Sequence, residues 1–451
     1  MVIDMTHNPF GVGQALAERL EWLVPAGGHT YSKGRDQFPK HVPGLIEKGE
    51  RAWLFDSDDN RLVDYGMGLR SVTLGHCFPP VLEAVREQLE KGSNFTRPSV
   101  MELVLAEEIV DLIPAAEMVK FAKNGSDVTA AAVRLARAYT ARKYVAICGE
   151  DPFYSFYDWF IGSTPCDSGI PREVAELTLK FHYNDIASLE LLIAKHPGDI
   201  AAVILEPLSD RFQPEDDFLD RLRALTEREG IVLIFDEIIT GFRYDLRGAQ
   251  NLVGVTPDLC TFGKGCANGF SANFLCGRRE IMELGGLNHD KPRVFLLSGT
   301  HGAETHGLAA ALATIRYMRD NPVIEHLWTY GRRMMDEFNA LSEHVGLGGK
   351  ISMVGYPCSP RLQVLGEDGK PSFELLTIYQ THMIAQGVLA PWLAISYSHD
   401  EETFGITTRA FRVALQACRD ALDHPPLGRH YDGEPVKPVW RRFNADFGRH
   451  D

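Results

Sequence analysis

Positive charge is scarce in this chain: 46 Lys and Arg stand against 61 Asp and Glu, a formal net charge of −15. A nucleic-acid or membrane-surface partner is therefore not expected, because both ask for a basic face. No apolar run approaches the roughly 18 residues of a membrane span, and the opening MVIDMTHNPF lacks the basic-then-apolar pattern of a secretory signal. A cytoplasmic protein is expected. The eight cysteines (Cys77, Cys148, Cys166, Cys260, Cys266, Cys276, Cys358, Cys418) include no CxxC pair and no His-bearing metal spacing. They read as reduced, mostly buried thiols, and no metal site is expected. Without a secretory route the N-x-S/T sequons at Asn94 and Asn124 are chance matches. Absent too are low-complexity tracts, repeats of solenoid period and the GxxxxGK[ST] loop that cradles nucleoside triphosphates.

What remains is the composition of an ordinary globular protein, 45% hydrophobic and 24% charged over 451 residues. That length allows about three average domains, or two that interlock around one site. Residues 52–56 and 61–65 flank Ser57-Asp58-Asp59-Asn60 and predict a hairpin. Apolar spacing predicts helices over 81–91 and 101–112. From about residue 117 short apolar runs alternate with amphipathic stretches, giving strands over 118–122, 144–147, 201–205 and 231–235 and helices over 128–139 and 218–229. Continuous apolar strands separated by helices predict a mostly parallel sheet covered on both faces. Helices over 305–318 and 323–341, broken at Asn321-Pro322, place a domain boundary near 320–330. Beyond it, a strand at 361–364 and helices over 373–386 and 407–422 suit a smaller α+β domain, with little core after Pro425.

Three elements carry chemistry. Asp236-Glu237 follows the apolar strand 231–235, and ligands of open α/β sheets bind beyond the carboxyl ends of the strands. Lys264, in Thr261-Phe262-Gly263-Lys264-Gly265, lies 264 − 236 = 28 residues further on, about one helix plus one strand, which returns it to the same sheet edge. Its small and apolar neighbours mark a desolvated amine of lowered pKa, as Schiff-base chemistry requires. Lys123-Asn124-Gly125-Ser126-Asp127 leads from a strand into a helix, where unpaired N–H groups, a hydroxyl and the positive dipole end form a phosphate cradle.

In that order, and with their neighbours, these elements resemble the class III aminotransferases of pyridoxal-5′-phosphate (PLP) fold type I, most nearly the glutamate-1-semialdehyde 2,1-aminomutase-like group. The resemblance runs from about Ala15 to about Ala421. Its strongest stretches are Glu117 to Ser126, Ala201-Ala-Val-Ile-Leu-Glu-Pro207, Phe235-Asp-Glu-Ile-Ile-Thr-Gly-Phe-Arg243, Thr261-Phe-Gly-Lys264 and Gly387-Val-Leu-Ala-Pro391. The implied fold is α/β: a large, mostly parallel-sheet cofactor domain over 66–325, a small α+β domain over 326–451, and an N-terminal segment 1–65 packing with the small domain. The implied cofactor is PLP.

The resemblance assigns roles residue by residue. Lys264 matches the Schiff-base lysine and Asp236 the partner of the pyridine nitrogen. Gly125 and Ser126 match the phosphate site. Phe153 matches the ring stacker, with Tyr154 the competing choice because Phe153-Tyr154-Ser155 replaces the usual Tyr-His-Gly. Ile238 matches the residue on the ring's other face, and Thr300 a threonine that reaches the phosphate of the neighbouring subunit in a homodimer with shared sites. Glu206 falls near the cofactor's rim, in a structural or a catalytic role.

Two departures bear on substrate. The aminomutases' carboxylate-binding arginine is offset here to Arg35, with Lys33 nearby, and Arg70 replaces aromatic and small pocket residues. Residues 29–34 and 94–99 also look like aminomutase-like aminotransferases of surface-polysaccharide pathways. The expected function is amino transfer from an amino acid to an aldehyde or ketone, possibly sugar-like, acceptor, with intramolecular 2,1-aminomutase chemistry as the alternative. A catalytically silent PLP-fold binding protein is a third reading, against which the intact Asp236, Lys264 and Ser126 stand.

Overall fold

The computed structural model describes residue 3, residues 8–150 and residues 153–444. The opening stretch read for a secretory signal lies largely outside them. In chain order the strands are β1 (Ile46–Glu50), β2 (Trp53–Asp56), β3 (Arg61–Asp64), β4 (Met118–Ala122), β5 (Tyr144–Cys148), β6 (Thr178–Phe181), β7 (Ile200–Leu205), β8 (Val232–Asp236), β9 (Leu259–Phe262), β10 (Asn273–Gly277), β11 (Ile351–Tyr356), β12 (Ser359–Val364) and β13 (Val388–Leu389). Two compact units form, one of Met1–Leu69, Thr73–Phe78 and Glu325–Asp451, the other of Arg70–Val72 and Pro79–Ile324.

The second unit is built on a seven-stranded sheet in the order β4-β10-β9-β8-β7-β5-β6. Its pairs are parallel except those made by β10, which runs against both β4 and β9. Every residue of β7 and β8 is buried, as strands covered on both faces require. Helix Phe218–Glu229 makes the crossover between them and turns Phe218, Leu219, Leu222 and Leu225 inward. Because β4, β5, β7, β8 and β9 all point the same way, their carboxyl ends share one edge, and Lys123, Glu206, Asp236 and Lys264 follow there.

In the first unit β1, β2, β3 and β13 form one sheet and β11 pairs with β12 in a hairpin. Helix Glu401–Asp423 starts earlier than its apolar periodicity suggests, because the Asp400 side chain accepts the Thr403 N–H at 3.0 Å and caps a polar first turn. Its core is partly polar. The Tyr65 hydroxyl bonds Tyr330 Oη at 2.8 Å and Thr407 Oγ1 at 3.0 Å, and burial pushes the phenol up to about 12. His399 stacks on Tyr65 with ring centroids 4.4 Å apart, and burial lowers it to about 4, so the ring is neutral.

Among the described residues no helix is long and apolar enough to cross a membrane, and no cluster of His, Cys, Asp and Glu could hold a metal. Six of the eight cysteines are buried, and all are thiols.

Candidate active site

The site grows from the chain's exit out of β4. Asn124 caps helix Gly125–Thr140, and its own N–H donates to Asp127 Oδ2 at 3.1 Å. The first helical residues, Gly125 and Ser126, therefore present N–H groups at the positive end of a 16-residue dipole. Ser126 Oγ accepts the Phe156 N–H at 3.0 Å, which fixes the oxygen while its own O–H remains a donor. The same turn is tied to the loop after β5, since Thr129 Oγ1 donates to both Ser126 O at 3.1 Å and Tyr154 O at 2.8 Å.

Three strands along the sheet from β4, β8 ends at Asp236 with Glu237 directly after it, two carboxylates with different environments. Asp236 is 2% exposed, and its Oδ1 accepts from Ile238 N at 3.0 Å and Thr261 Oγ1 at 3.1 Å. Glu237 instead caps helix Ala249–Val253. It accepts from Ala249 N, from Gln250 N at 3.2 Å and Nε2 at 2.8 Å, and from Thr240 Oγ1 at 3.2 Å. Burial raises Glu237 to about 7 against the pull of these donors. This structural role was not legible in the Asp-Glu pair.

Ile238 joins the pieces. A Cβ on Gly125 would lie 3.1 Å from its Cδ1, and one on Gly263 also 3.1 Å from Cδ1 and 2.0 Å from Asn273 Oδ1. Glycine at both positions lets the phosphate-type turn and the lysine loop close on one side chain. Asn273 Nδ2 in turn donates to Lys123 O at 2.8 Å.

Lys264 follows at the end of β9, with a left-handed φ of 43° that a non-glycine residue adopts only at a cost of order 1–3 kcal/mol. Burial, helped by the Arg70 and Arg243 charges and opposed by Glu206 and Asp236, lowers its amine to about 8. Glu206 is 5% exposed and Arg243 1%. Arg243 donates from Nη2 to the Arg70 carbonyl at 3.3 Å, and Arg70 Nη2 pairs with Asp210 Oδ2 at 2.5 Å. Arg70 ends a left-handed turn in which Met67, Gly68, Leu69 and Arg70 have φ of 40°, 55°, 61° and 68°. Sequence reasoning missed Arg243 and Asp210. The first sits inside a quoted motif, and the second carries no local signal.

The two candidate ring stackers differ in burial. Phe153 is 44% exposed with its ring edge-on to Phe160, whereas Tyr154 is 2% exposed and packs on Phe160 from within. Thr300 is exposed, and its carbonyl accepts Asn94 Nδ2 at 3.0 Å. Nearby, the Lys123 ammonium holds the Glu304 carboxyl below its usual range, and His301 Nδ1 lies 2.9 Å from Glu304 Oε1. Arg35 belongs to the first unit, where it pairs with Glu21 at 3.0 Å and its side chain is 79% exposed.

The Aminotransferase class-III family model matches residues 37–359. A glutamate-1-semialdehyde 2,1-aminomutase of Syntrophomonas wolfei subsp. wolfei is 36% identical over 318 residues, 68% of this chain and 73% of that protein. A 3-aminobutyryl-CoA aminotransferase of Cloacimonas acidaminovorans is 31% identical over 417 residues, 90% of this chain and 97% of that protein. Among solved structures, the PLP internal aldimine form of FumI from Sphingopyxis sp. MTA144 superposes with a TM-score of 0.84. It is 26% identical and covers 92% of this chain and 99% of its own.

Proposed function

This chain belongs to the class III aminotransferases, and on that premise we propose that it moves an amino group from an amino acid to the aldehyde or ketone of a polar, sugar-like acceptor. The cofactor is pyridoxal 5′-phosphate. When bound, it supplies the electron sink that stabilises negative charge at the substrate Cα. The residues present suit it: a helix N-terminus with glycine where a Cβ would crowd Ile238, a buried carboxylate, and a partly buried amine.

In this reading Lys264 holds the cofactor through Nζ, and Gly125 and Ser126 take the phosphate. Asp236 keeps the ring nitrogen protonated, its Oδ1 already fixed by Ile238 N and Thr261. Ile238 and Phe153 cover the two ring faces, and Glu206 adds negative charge beside Lys264. A lysine lowered to about 8 has roughly a tenth of its amine neutral at pH 7. With the cofactor bound and the substrate amine in its place, Nζ would hold the proton taken from the substrate Cα and return it to the cofactor carbon on the other side of the substrate nitrogen.

The observation that carries the transferase reading is Arg70, whose guanidinium acts on Lys264 from within the same unit. Arg35, the residue nearest in sequence to the aminomutases' carboxylate arginine, is exposed and paired with Glu21. An arginine of the same unit as Lys264, with Asp210 as its counter-ion, suits two substrates in turn, a carboxylate donor and a polar acceptor. The test is to load the enzyme with pyridoxamine phosphate and screen carbonyl compounds for return of the aldehyde spectrum. Polyhydroxylated aldehydes or ketones should restore it, and simple alkyl ketones alone doing so would overturn the acceptor class. The aminomutase reading retains one support, the 36% identity to a protein of that name.

We further propose a homodimer in which Thr300 serves the partner's phosphate. Supporting it are the exposure of Phe95 (50%), Val100 (77%), Leu103 (60%) and Phe295 (73%), and a groove of 1290 Å³ that Phe95, Leu103, Phe295 and Thr300 help to line.

A further inference from the structure

Strand β10 starts where two of its neighbours end. It runs against both β4 and β9, with Asn273 opposite Ala122 and Phe274 opposite Phe262. Its first residue therefore lies between the chain leaving β4 at Lys123 and the chain leaving β9 at Gly263. Asn273, 7% exposed, reaches both. Its Nδ2 donates to Lys123 O at 2.8 Å, and because only the NH2 end of an amide can meet a carbonyl, the roles of its two ends are fixed. On the other side a Cβ at residue 263 would fall 2.0 Å from Oδ1 and 3.0 Å from Cγ, so the amide packs on bare glycine at the residue before Lys264. The Lys123 carbonyl takes a second donor from Ser271 Oγ, which occupies both lone pairs of that oxygen. Across the same planar peptide the Asn124 N–H is held by Asp127 Oδ2 at 3.1 Å. The peptide that opens helix Gly125–Thr140 is thus fixed at both ends, and one of the groups that fix it is the side chain lying against the lysine loop.

We propose that Asn273 is a positioning residue that couples the two halves of the cofactor site, so that filling the turn at Gly125 and Ser126 and binding an aldehyde at Lys264 favour each other. The inference rests on the site assignment above, which gives the phosphate to that turn and the Schiff base to Lys264. An anion at the helix N-terminus draws the turn towards itself. Through the Lys123 carbonyl that displacement reaches the Asn273 amide, and from Oδ1 the backbone of Gly263. Lys264 stands at a φ of 43°, a conformation its surroundings must enforce, and a glycine before it leaves the loop free to relax. Pressing on Gly263 therefore orders the amine. Ile238 also lies 3.1 Å from a Cβ placed on either glycine, but an aliphatic chain yields by rotation, whereas the amide has a directional bond on one side. Linkage makes the effect reciprocal, so an aldehyde at Lys264 tightens the anion by the same factor.

The test divides the cofactor in two. Cofactor-free enzyme is titrated with 5-deoxypyridoxal, which carries the ring and aldehyde without the phosphate arm, and the imine absorbance is followed with and without saturating inorganic phosphate. Phosphate should tighten the aldehyde about tenfold in the wild type, and calorimetry should find the aldehyde tightening phosphate by the same factor. Asn273→Leu keeps bulk against Gly263 and removes the donor, and Asn273→Ala removes both. Each should bring the factor below about twofold. Ser271→Ala removes the other donor to the same carbonyl, so it should weaken phosphate while the factor stays near about tenfold. A factor near one in the wild type overturns the proposal without any variant. Were Asn273 only structural, its variants would weaken both probes and keep the wild-type factor, and that result overturns the proposal too. Borohydride trapping and peptide mapping of the bound aldehyde keep the two levels apart. Label on a lysine other than Lys264 removes the site assignment and the proposal with it, whereas label on Lys264 without coupling removes the role of Asn273 alone.

Discussion

Thr261 donates its hydroxyl to Asp236 Oδ1 at 3.1 Å across the paired strands β8 and β9. That bond orients the carboxylate proposed to meet the cofactor's ring nitrogen, and Ile238 N supplies a second on the same oxygen. Thr261→Val keeps the shape and removes the donor. Loss of one hydrogen bond to a charged group is worth about 1.5–3 kcal/mol, so kcat/KM should fall by roughly one to two orders of magnitude, with PLP still covalently held. Asp236→Ala should be more damaging. Near-normal transfer by Asp236→Ala would make this carboxylate merely structural.

Gly125→Ala is predicted to weaken PLP binding by about tenfold while changing the cofactor-free melting temperature little. The added Cβ would press on Ile238 Cδ1 at 3.1 Å, a contact a flexible side chain relieves by moving, in the proposed arrangement, into the space of the cofactor ring. Ile238→Val should restore part of the affinity. Titration of the cofactor-free variants with PLP reads both effects, and equal affinities in all of them would contradict the assigned geometry.

The lowered amine of Lys264 gives a pH signature in the cofactor-free protein. Burial and the two arginines bring it to about 8, below the value of about 10.4 for an unfolded lysine. Between those values the unfolded chain binds more protons, so this residue's contribution to stability improves as pH rises from 8 towards 10.4. Lys264→Met should therefore be more stable than wild type at pH 7, by up to a few kcal/mol, and the gap should narrow across that window. A constant gap in denaturant titrations at pH 7, 9 and 10.5 would contradict the shift. In the holoenzyme, borohydride reduction and peptide mapping should place the label on Lys264.

Much of this was legible in the chain itself. The unbroken apolar runs of β7 and β8 announced buried parallel strands, and the interval from Asp236 to Lys264 held the helix Ala249–Val253 and β9, enough to return both residues to one edge. Strand β10 was missed because Asn273, Cys276 and Gly277 break both the apolar run and the alternation, and its place is set by pairing with β4 and β9. Asp210 and Arg243 were missed for a related reason. Their importance lies in what they touch, and a contact such as Arg70 to Asp210, 140 residues apart, leaves no local period or spacing.

A dimer is predicted to persist to nanomolar dilution. Phe295→Asp would place a charge on the exposed apolar rim of the groove beside Thr300 and should dissociate it, because burying an unpaired carboxylate is costly. Light scattering and activity should fall together. An active monomer of wild type would contradict the shared site.

Transfer between two molecules, rather than within one, is read from a single half-reaction. The PLP-loaded enzyme is mixed with glutamate alone, and the cofactor spectrum and 2-oxoglutarate are followed. Loss of the aldehyde form with release of one keto acid per active site is the predicted result. An unchanged spectrum with glutamate and other amino acids, together with conversion of glutamate 1-semialdehyde to 5-aminolevulinate, would contradict it.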